Sequence, residues 1–254
     1  MSSELIVPAI VLDDAGDNSQ TVTDNDKAEV AVALDGRTLY LDGKWNTICL
    51  PFNQSVSEFK GLEARTITAA NIEGTMLHLT FGNPVDELVA GTPYIIKFAK
   101  EDDYVADGTH DYLNPVFYGV TINATAKHDY DNGATGNLRV RFLGTYAKQS
   151  FDAEDKSILF MGSDNTLYYP QNGASIGAQR AYFKIGDDNS SAPTLLSFNI
   201  YFGDSETTGI ITISKESGSQ GDDDGWYSLD GRKLSGKSTK KGLYIVNGRK
   251  VVVK

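Results

Sequence analysis

The feature that most constrains this chain is the repeated alternation of short apolar runs with Gly, Asp and Asn turns. Asp35-Gly36 and Asp42-Gly43 each separate two strand-like runs, which is typical of β-hairpins. No segment of the 254 residues places apolar side chains at helical spacing for three turns. The pattern predicts about a dozen short strands in an all-β fold, with an antiparallel β-sandwich or jelly roll as its body.

The most strand-like run in the N-terminal half is residues 45–52, Trp-Asn-Thr-Ile-Cys-Leu-Pro-Phe. Aromatic and β-branched residues suit a half-buried pleated surface, and Pro51 ends central pairing. We expect a core strand here, against which later strands pack. Cys49 is the single cysteine, so the chain has no intramolecular disulfide, and a buried, unreactive thiol is expected.

Composition divides the chain into three parts. Residues 1–213 are predicted to form the β body, in which 1–27 is a candidate separate leading strand and linker, with a polar acidic loop at 13–26. Residues 214–225 are rich in Ser, Gly and Asp and indicate a flexible linker. Residues 226–254 contain two hairpin-type turns and predict a small β-hairpin unit that is too short for a core of its own.

Charge follows the same division and excludes two classes of partner. The net charge is −11, which argues against nucleic acid and against an anionic membrane surface. Eight of the 23 Lys/Arg but one of the 34 Asp/Glu lie in residues 225–254, so a basic segment follows an acidic body. No run of 18 apolar residues indicates a membrane span.

The C-terminal 30 residues resemble a segment found at the end of extracellular proteins of Bacteroidetes-type bacteria. There a Tyr-x-Leu-x-Gly-Arg turn precedes a Gly-x-Tyr-Ile strand and a final Gly-x-Lys-Val-x-x-Lys. The matching residues here are Tyr227, Leu229, Gly231, Arg232, Gly242, Tyr244, Ile245, Gly248, Lys250, Val251 and Lys254. The pattern is similar to sorting tails of the type IX secretion kind.

The body also resembles the β-rich domain that precedes such tails, over about two thirds of the chain. The matching pieces are residues 34–52, 91–97, 114–117, 142–146, 159–170 and 180–183. The resemblance implies an extracellular or cell-surface accessory domain of adhesin-like or polysaccharide-handling proteins. Residues 1–4 lack the basic-then-apolar start of a signal peptide, so the expectation is either a cytosolic protein or a chain that begins after its leader or inside a longer protein.

One motif suggests acyl-transfer chemistry. Residues 173–177 match the nucleophile-elbow pattern G-x-S-x-G around Ser175. An elbow should lie between a strand and a helix and precede its histidine, but the following residues are strand-like and all three histidines come earlier. A glycine-rich loop is therefore the preferred interpretation, and the histidines have no zinc-type spacing.

A calcium site is the one candidate for a bound ion or cofactor. Asp129, Asp131 and Asn132 place oxygen ligands in one short loop, as calcium loops do. The loop lacks the closing glutamate of an EF-hand, and a solvated turn explains the same residues.

Two aromatic groups are candidates for binding sugar. Aromatic rings stack on the apolar faces of sugars, while amides and carboxylates bind the hydroxyls. The candidates are Tyr168 and Tyr169 with Gln171 and Asn172, and Tyr112 with Asn114. The competing interpretation is that these tyrosines are core residues of strands.

Three functions follow from these observations. The first is a noncatalytic module that binds a glycan or another surface partner through exposed aromatic residues. The second is a structural or sorting-associated spacer that has no ligand. The third is a glycoside hydrolase, which would require two carboxylates about 5 to 10 Å apart in a cleft.

Overall fold

The computed structural model describes residues 9–100, 103–104, 110–152, 155–162, 165–171, 174–187 and 192–202, and the backbone of 207–212, 226–228, 242–246 and 249–253. The chain divides into two compact units, Met1–Ser214 and Lys215–Lys254. Strands account for 47% of the structure and helices for 7%. The predicted all-β fold is therefore confirmed, and its sandwich or jelly-roll arrangement stays a prediction.

The larger unit is built from short strands. They are β1 Ala9–Asp13, β2 Glu29–Asp35, β3 Thr38–Leu39, β4 Asn46–Ile48, β5 Gln54–Ser55, β6 Leu62–Arg65, β7 Ile67–Glu73, β8 Met76–Phe81, β9 Glu87–Leu88, β10 Tyr94–Phe98, β11 Tyr112–Leu113, β12 Val116–Thr121, β13 Tyr130–Asp131, β14 Val140–Thr145, β15 Gln149–Ser150, β16 Ile158–Met161, β17 Leu167–Tyr168, β18 Ser175–Ile176, β19 Arg180–Ile185, β20 Ser197–Tyr201 and β21 Thr207–Thr212. One α-helix, α1 Ser19–Asp24, and two 3₁₀ turns, Val56–Glu58 and Gly136–Leu138, complete its described elements.

The strands form seven sheets in this unit. Their orders are β13-β14-β19-β16-β17, β21-β20-β8-β7, β1-β2-β12, β4-β10-β6, β3-β11, β5-β9 and β15-β18. Pairing between the described strands is antiparallel except for β1 with β2 and β8 with β20. Parallel neighbours require long connections, and these two pairs have them: α1 lies between β1 and β2, and eleven strands, β9 to β19, lie between β8 and β20.

The sheet β4-β10-β6 lies between two hydrophobic cores. In β10, Ile95 packs into one core with Trp45 of the preceding segment, while its neighbours Ile96 and Phe98 pack into the other with Ile48. Because successive side chains of a strand point to opposite faces, this sheet must be apolar on both faces. The first core also takes side chains from β7, β8, β14, β16, β19 and β20, and the second from β1, β2 and β12.

The predicted core strand at 45–52 is shorter than the apolar run. Only Asn46–Ile48 pairs as a strand, although Leu50 and Phe52 beyond it are also buried. Trp45 stacks on Phe202 with ring centroids 5.1 Å apart, and Lys97 lies 4.6 Å above the indole. The run therefore supplies side chains to both cores.

Thr47 joins the central sheet to the five-stranded sheet. Its Oγ1 donates to the carbonyl of Ala181 at 2.9 Å and accepts the Ala181 N–H at 3.1 Å. The Cys49 N–H donates to the carbonyl of Gln179 one step further along. The Thr47 hydroxyl thus bonds both backbone groups of Ala181, as a neighbouring strand would, and it holds the start of β19 against β4.

The predicted loop at 13–26 contains a helix that the sequence did not indicate. Helix α1 spans six residues and buries only Val22, so it produces no apolar periodicity. Its preceding residue, Asn18, is buried and donates from Nδ2 to the carbonyls of Asp13 and Tyr146. Hydrogen bonds to distant backbone therefore position this segment, and its sequence has no amphipathic pattern from which a helix could be predicted.

The smaller unit is a three-stranded antiparallel sheet. Its strands are β22 Trp226–Ser228, β23 Gly242–Val246 and β24 Arg249–Val253, in the order β22-β23-β24. The predicted turns at Asp230-Gly231 and Asn247-Gly248 lie outside the described residues. No described helix of the chain is long and apolar enough to cross a membrane.

Thr47→Val should destabilise the larger unit by about 2 kcal/mol. Valine keeps the shape but leaves the buried N–H and C=O of Ala181 without partners, and an unsatisfied buried polar group costs about 1–3 kcal/mol. Urea unfolding would measure the difference. Thr68→Val is the matched control, because Thr68 is exposed and makes one hydrogen bond, to the carbonyl of Thr80 at 3.2 Å. Equal losses in the two variants would contradict the role of Thr47.

Candidate functional site

Tyr112 and Asn114 are engaged in packing and in a turn. The Tyr112 ring is half-buried and lies 5.5 Å from the rings of both Phe59 and Phe98. Asn114 has a φ of 49°, and its Oδ1 accepts the N–H of Gly36 at 2.8 Å. Both residues belong to the β3-β11 region beside the second core, away from the sheet that contains Tyr168.

Tyr168 ends strand β17, and Tyr169 follows it and makes different contacts. The Tyr169 hydroxyl donates to the carbonyl of Leu195 at 3.2 Å and accepts its N–H at 2.9 Å, and burial raises the pKa of this phenol. Tyr168 is half-buried and is the register partner of Phe160, so both rings lie on the outward face of the sheet. Gln171 is exposed, and Asn172 lies outside the described residues.

The three predicted calcium ligands hold the local backbone. Asp129 accepts the N–H of Gly144 at 2.8 Å and lies 3.3 Å from the Lys127 ammonium. Asp131 pairs with Arg139 and accepts the N–H of Gly133. Asn132 accepts two N–H groups and donates to two carbonyls. A calcium ion would have to displace these partners, and no group of three or more His, Cys, Asp or Glu among the described residues could hold a metal.

A cleft of about 420 Å³ lies next to Phe160. Its apolar side consists of Phe160, Met161 and Ile176. The Tyr168 ring contacts Gly162 at the edge of this wall, since a Cβ on that glycine would lie 2.4 Å from the ring. The polar and charged side chains of the lining are Asp14, Asn46, Thr47, Lys148, Ser175 and Arg180, and the small residues Ala15, Gly162, Gly177 and Ala181 complete it.

An ion pair organises the polar side of this cleft. The Arg180 Nη2 donates to both oxygens of Asp14, at 2.9 and 3.1 Å. Gly177 makes this approach possible, because a Cβ there would lie 2.3 Å from the carboxylate. The pair uses a single nitrogen of the guanidinium, and the buried Nε of Arg180 has no hydrogen-bond partner among the described residues.

A second arginine is buried beside the cleft. Arg37 is only 1% exposed, and its Nη2 donates to the carbonyl of Thr47, a cleft-lining residue, at 2.7 Å. Its Nε and Nη1 have no partner among the described residues. Burial first, and then repulsion from Arg180, lower the pKa of the Arg37 guanidinium, while Asp14 opposes the shift. Two arginines thus share one nearby carboxylate.

A second cleft, of about 490 Å³, contains the chain's single cysteine. Cys49, Tyr146 and Tyr182 lie at this cleft with Asp129 and Lys127. Burial raises the pKa of the Cys49 thiol to about 12, with a further contribution from Asp129, and burial also raises the pKa of Tyr146. Gly144 is packed on the sulfur, because a Cβ there would lie 2.3 Å from Sγ. The thiol is therefore a packing group, as the sequence predicted.

Ser175 is exposed in β18 and pairs with Ser150 of β15. The residue after it continues the strand, so the strand-turn-helix geometry of a nucleophile elbow does not occur here. None of the described residues that line either cleft is a histidine. Ser175 contributes a hydroxyl to the polar wall of the smaller cleft.

No protein-family model, curated protein or solved structure matches this chain. Function is therefore inferred from the geometry of the smaller cleft.

Sequence reasoning missed the charged residues of this cleft. Asp14, Arg37 and Arg180 come from three distant positions, and no spacing connects them. Arg37 gave no local signal, since an arginine between the Gly36 turn and a strand is expected at the surface. For Phe160 the signal is the hairpin that the sequence predicts across residues 162–165, because its two strands make Phe160 and Tyr168 cross-strand neighbours.

Iodoacetamide should alkylate Cys49 at least about 100-fold more slowly in the folded protein than in guanidinium at pH 8, because the reagent needs an exposed thiolate. Burial removes both access and ionisation at this residue. Mass spectrometry of timed samples would measure the two rates. Similar rates in the folded and unfolded chain would contradict the packing of Gly144 on Sγ.

Arg139→Gln should lower stability near neutral pH and lose that effect in acid. Hydrogen bonds from Arg139 lower the pKa of Asp131 below 3.8 and help lower that of Asp187. Carboxyls with a depressed pKa in the folded state stabilise it fully above their unfolded pKa, and this contribution is lost as the pH falls through the folded pKa. Urea unfolding of both proteins at about pH 6 and about pH 2 would test this.

The exposed Lys156→Gln is the control for that comparison and should differ little from the unmodified chain at either pH. A stability difference for Arg139→Gln that is unchanged at about pH 2 would contradict the assignment to these ion pairs.

Proposed function

We propose that this protein is a noncatalytic accessory module of a secreted or cell-surface protein, and that it binds a glycan in the cleft between Phe160 and Arg180. The observation that carries the proposal is the pairing of an aromatic wall with a polar wall. Phe160 and Tyr168 lie on one outward sheet face, and Phe160 lines the cleft together with the polar residues Asn46, Ser175 and Asp14.

The chemistry of a sugar ring suits such walls. One face of a pyranose carries C–H groups that pack on aromatic rings, while its edge carries hydroxyls that need donors and acceptors. Phe160 and Tyr168 are both half-buried, so their rings are held by packing but keep an accessible surface. A rigid aromatic platform loses little conformational entropy when a ligand binds.

The noncatalytic part of the proposal depends on the carboxylates. Among the described residues that line the cleft, Asp14 is the only carboxylate, and Arg180 engages both of its oxygens. Glycoside hydrolysis by the usual route needs two carboxylates across the scissile bond. The binding function therefore accounts for this residue set better than hydrolysis does.

The surface location derives from the C-terminal resemblance. Residues 225–254 carry the pattern of Bacteroidetes-type sorting segments, and the acidic body agrees with a partner that is not nucleic acid. A spacer without a ligand is the alternative, and it requires that the cleft bind nothing.

A glycan array and pull-down with insoluble polysaccharides, with and without calcium, would test the proposal on the full chain. We expect saturable binding that Tyr168→Ala weakens about tenfold, since loss of an aromatic contact costs about 1–1.5 kcal/mol. Tyr118→Ala is the control, because Tyr118 is 75% exposed on β12 in a different sheet. Calcium dependence lost in Asp131→Asn would support the predicted ion site.

Two results would count against the glycan function. Silence across the whole panel would favour the spacer, and equal losses in Tyr168→Ala and Tyr118→Ala would move the site away from this cleft.

A further inference from the structure

We propose that the cleft recognises an acidic saccharide, through a carboxylate or sulfate group placed beside Arg180 and Lys148. This inference rests on the proposed glycan function and narrows its ligand class. The shared chemistry is a small oxyanion on a sugar ring, which a uronic acid and a sulfate ester both provide.

The local charge is the first support. The described lining of the cleft holds two cations, Lys148 and Arg180, and one carboxylate, Asp14. Arg37 adds a third cation behind Thr47. Cations therefore outnumber carboxylates at this cleft, whereas the body as a whole carries most of the chain's 34 acidic residues. A local positive charge on an acidic protein favours an anionic ligand at that place.

The unsatisfied donors are the second support. Arg37 is almost fully buried, yet two of its three guanidinium nitrogens have no partner among the described residues, and the same holds for Nε of Arg180. Removing a charged donor from water without a partner costs several kcal/mol, and buried charges are normally paired. A bound anion would offset this cost by attraction across a low-dielectric interior.

The arrangement of Asp14 leaves room for a second anion. Its two oxygens share a single nitrogen of Arg180, so the bidentate fork geometry that arginine offers to a carboxylate is only partly used. Lys148 is exposed at the rim and has no ion pair with another described residue. A ligand carboxylate or sulfate between Arg180 and Lys148 would meet two donors, with Arg37 adding attraction from beneath.

The sugar and its charge would then use different walls. The ring would pack on Phe160, with Tyr168 beside it on the same sheet face, and the anionic substituent would contact Arg180 and Lys148. Neutral and acidic sugars would therefore share the ring packing and differ only in the contact with the cations. Two ligands that differ only in this charge can measure the contribution of that contact.

Calorimetry of the full chain against matched ligand pairs would test the inference. One arm compares oligogalacturonate with its methyl ester, which removes the charge and keeps the ring, and the other compares a sulfated galactan fragment with its desulfated form. We expect about tenfold tighter binding of the acidic member in at least one arm, as for a hydrogen bond to a charged group. The arm that shows the preference identifies the source of the oxyanion.

Three variants connect that preference to the cleft. Lys148→Gln should reduce the preference about threefold without affecting the fold, because its side chain is exposed. Arg180→Gln should abolish it, and Lys156→Gln, which neutralises an exposed lysine outside the cleft lining, should leave it unchanged. If Arg180→Gln does not fold, Lys148→Gln still decides the question. Raising the salt concentration should weaken only the acidic ligands.

The outcomes separate this inference from the proposed function. Equal affinity for acidic and neutral members, with loss on Tyr168→Ala, would overturn the anionic preference and keep the glycan function. An acidic preference that persists in both Lys148→Gln and Arg180→Gln would overturn the assignment to this cleft. No binding of any member would overturn both.

Discussion

Burial of both faces of one three-stranded sheet is the constraint on which the larger unit depends. The sheet β4-β10-β6 sends Ile95 into one core and Ile96 and Phe98 into the other. A strand that is covered on both sides cannot alternate polar with apolar residues, and this is why residues 94–98 are almost uninterruptedly apolar. The two hydrophobic cores of this unit therefore meet at that sheet.

The candidate cleft is a consequence of that arrangement. Thr47 lies on the central sheet and holds Ala181 through its hydroxyl, which fixes the neighbouring Arg180 at the start of β19. The carbonyl of the same threonine accepts the hydrogen bond from Arg37. One residue therefore connects the shared sheet, the five-stranded sheet and the charged residues at the cleft.

The hydrogen bonding of Arg37, beside the cleft, differs from that of Arg65, a buried arginine elsewhere in the larger unit. Arg65, also buried, donates from Nε to Glu63 and from Nη1 to the carbonyls of Gly82 and Phe202. Among the described residues the Arg37 side chain has one hydrogen-bond partner, the carbonyl of Thr47, and Arg180 lies near enough to repel it. Of these two buried arginines, Arg65 therefore uses more of its guanidinium nitrogens as hydrogen-bond donors to described residues than Arg37 does. Arg37 lies directly behind Thr47, a residue of the cleft lining.

The sequence alone determined the all-β class, because strand-length apolar runs and Gly/Asp turns are local signals that need no tertiary contact. It also determined that Cys49 is a packing residue, since its neighbours in the run are apolar. Tyr169 and Tyr112 could not be separated from Tyr168 in this way. The sequence offers a core position for all three. Only the packing of Phe59 and Phe98 on Tyr112, and the hydrogen bonds of Tyr169 to Leu195, decide which ring keeps an outward face.

Tertiary structure alone decided the charged part of the site. Asp14 and Arg180 are 166 residues apart, and their contact requires the end of β1 and the start of β19 to lie beside the same cleft. Helix α1 and the two parallel strand pairs were invisible for a related reason, since each depends on contacts between distant segments and leaves no local periodicity. Local pattern therefore determines which elements form, whereas long-range packing determines which side chains meet and which buried charges remain without a partner.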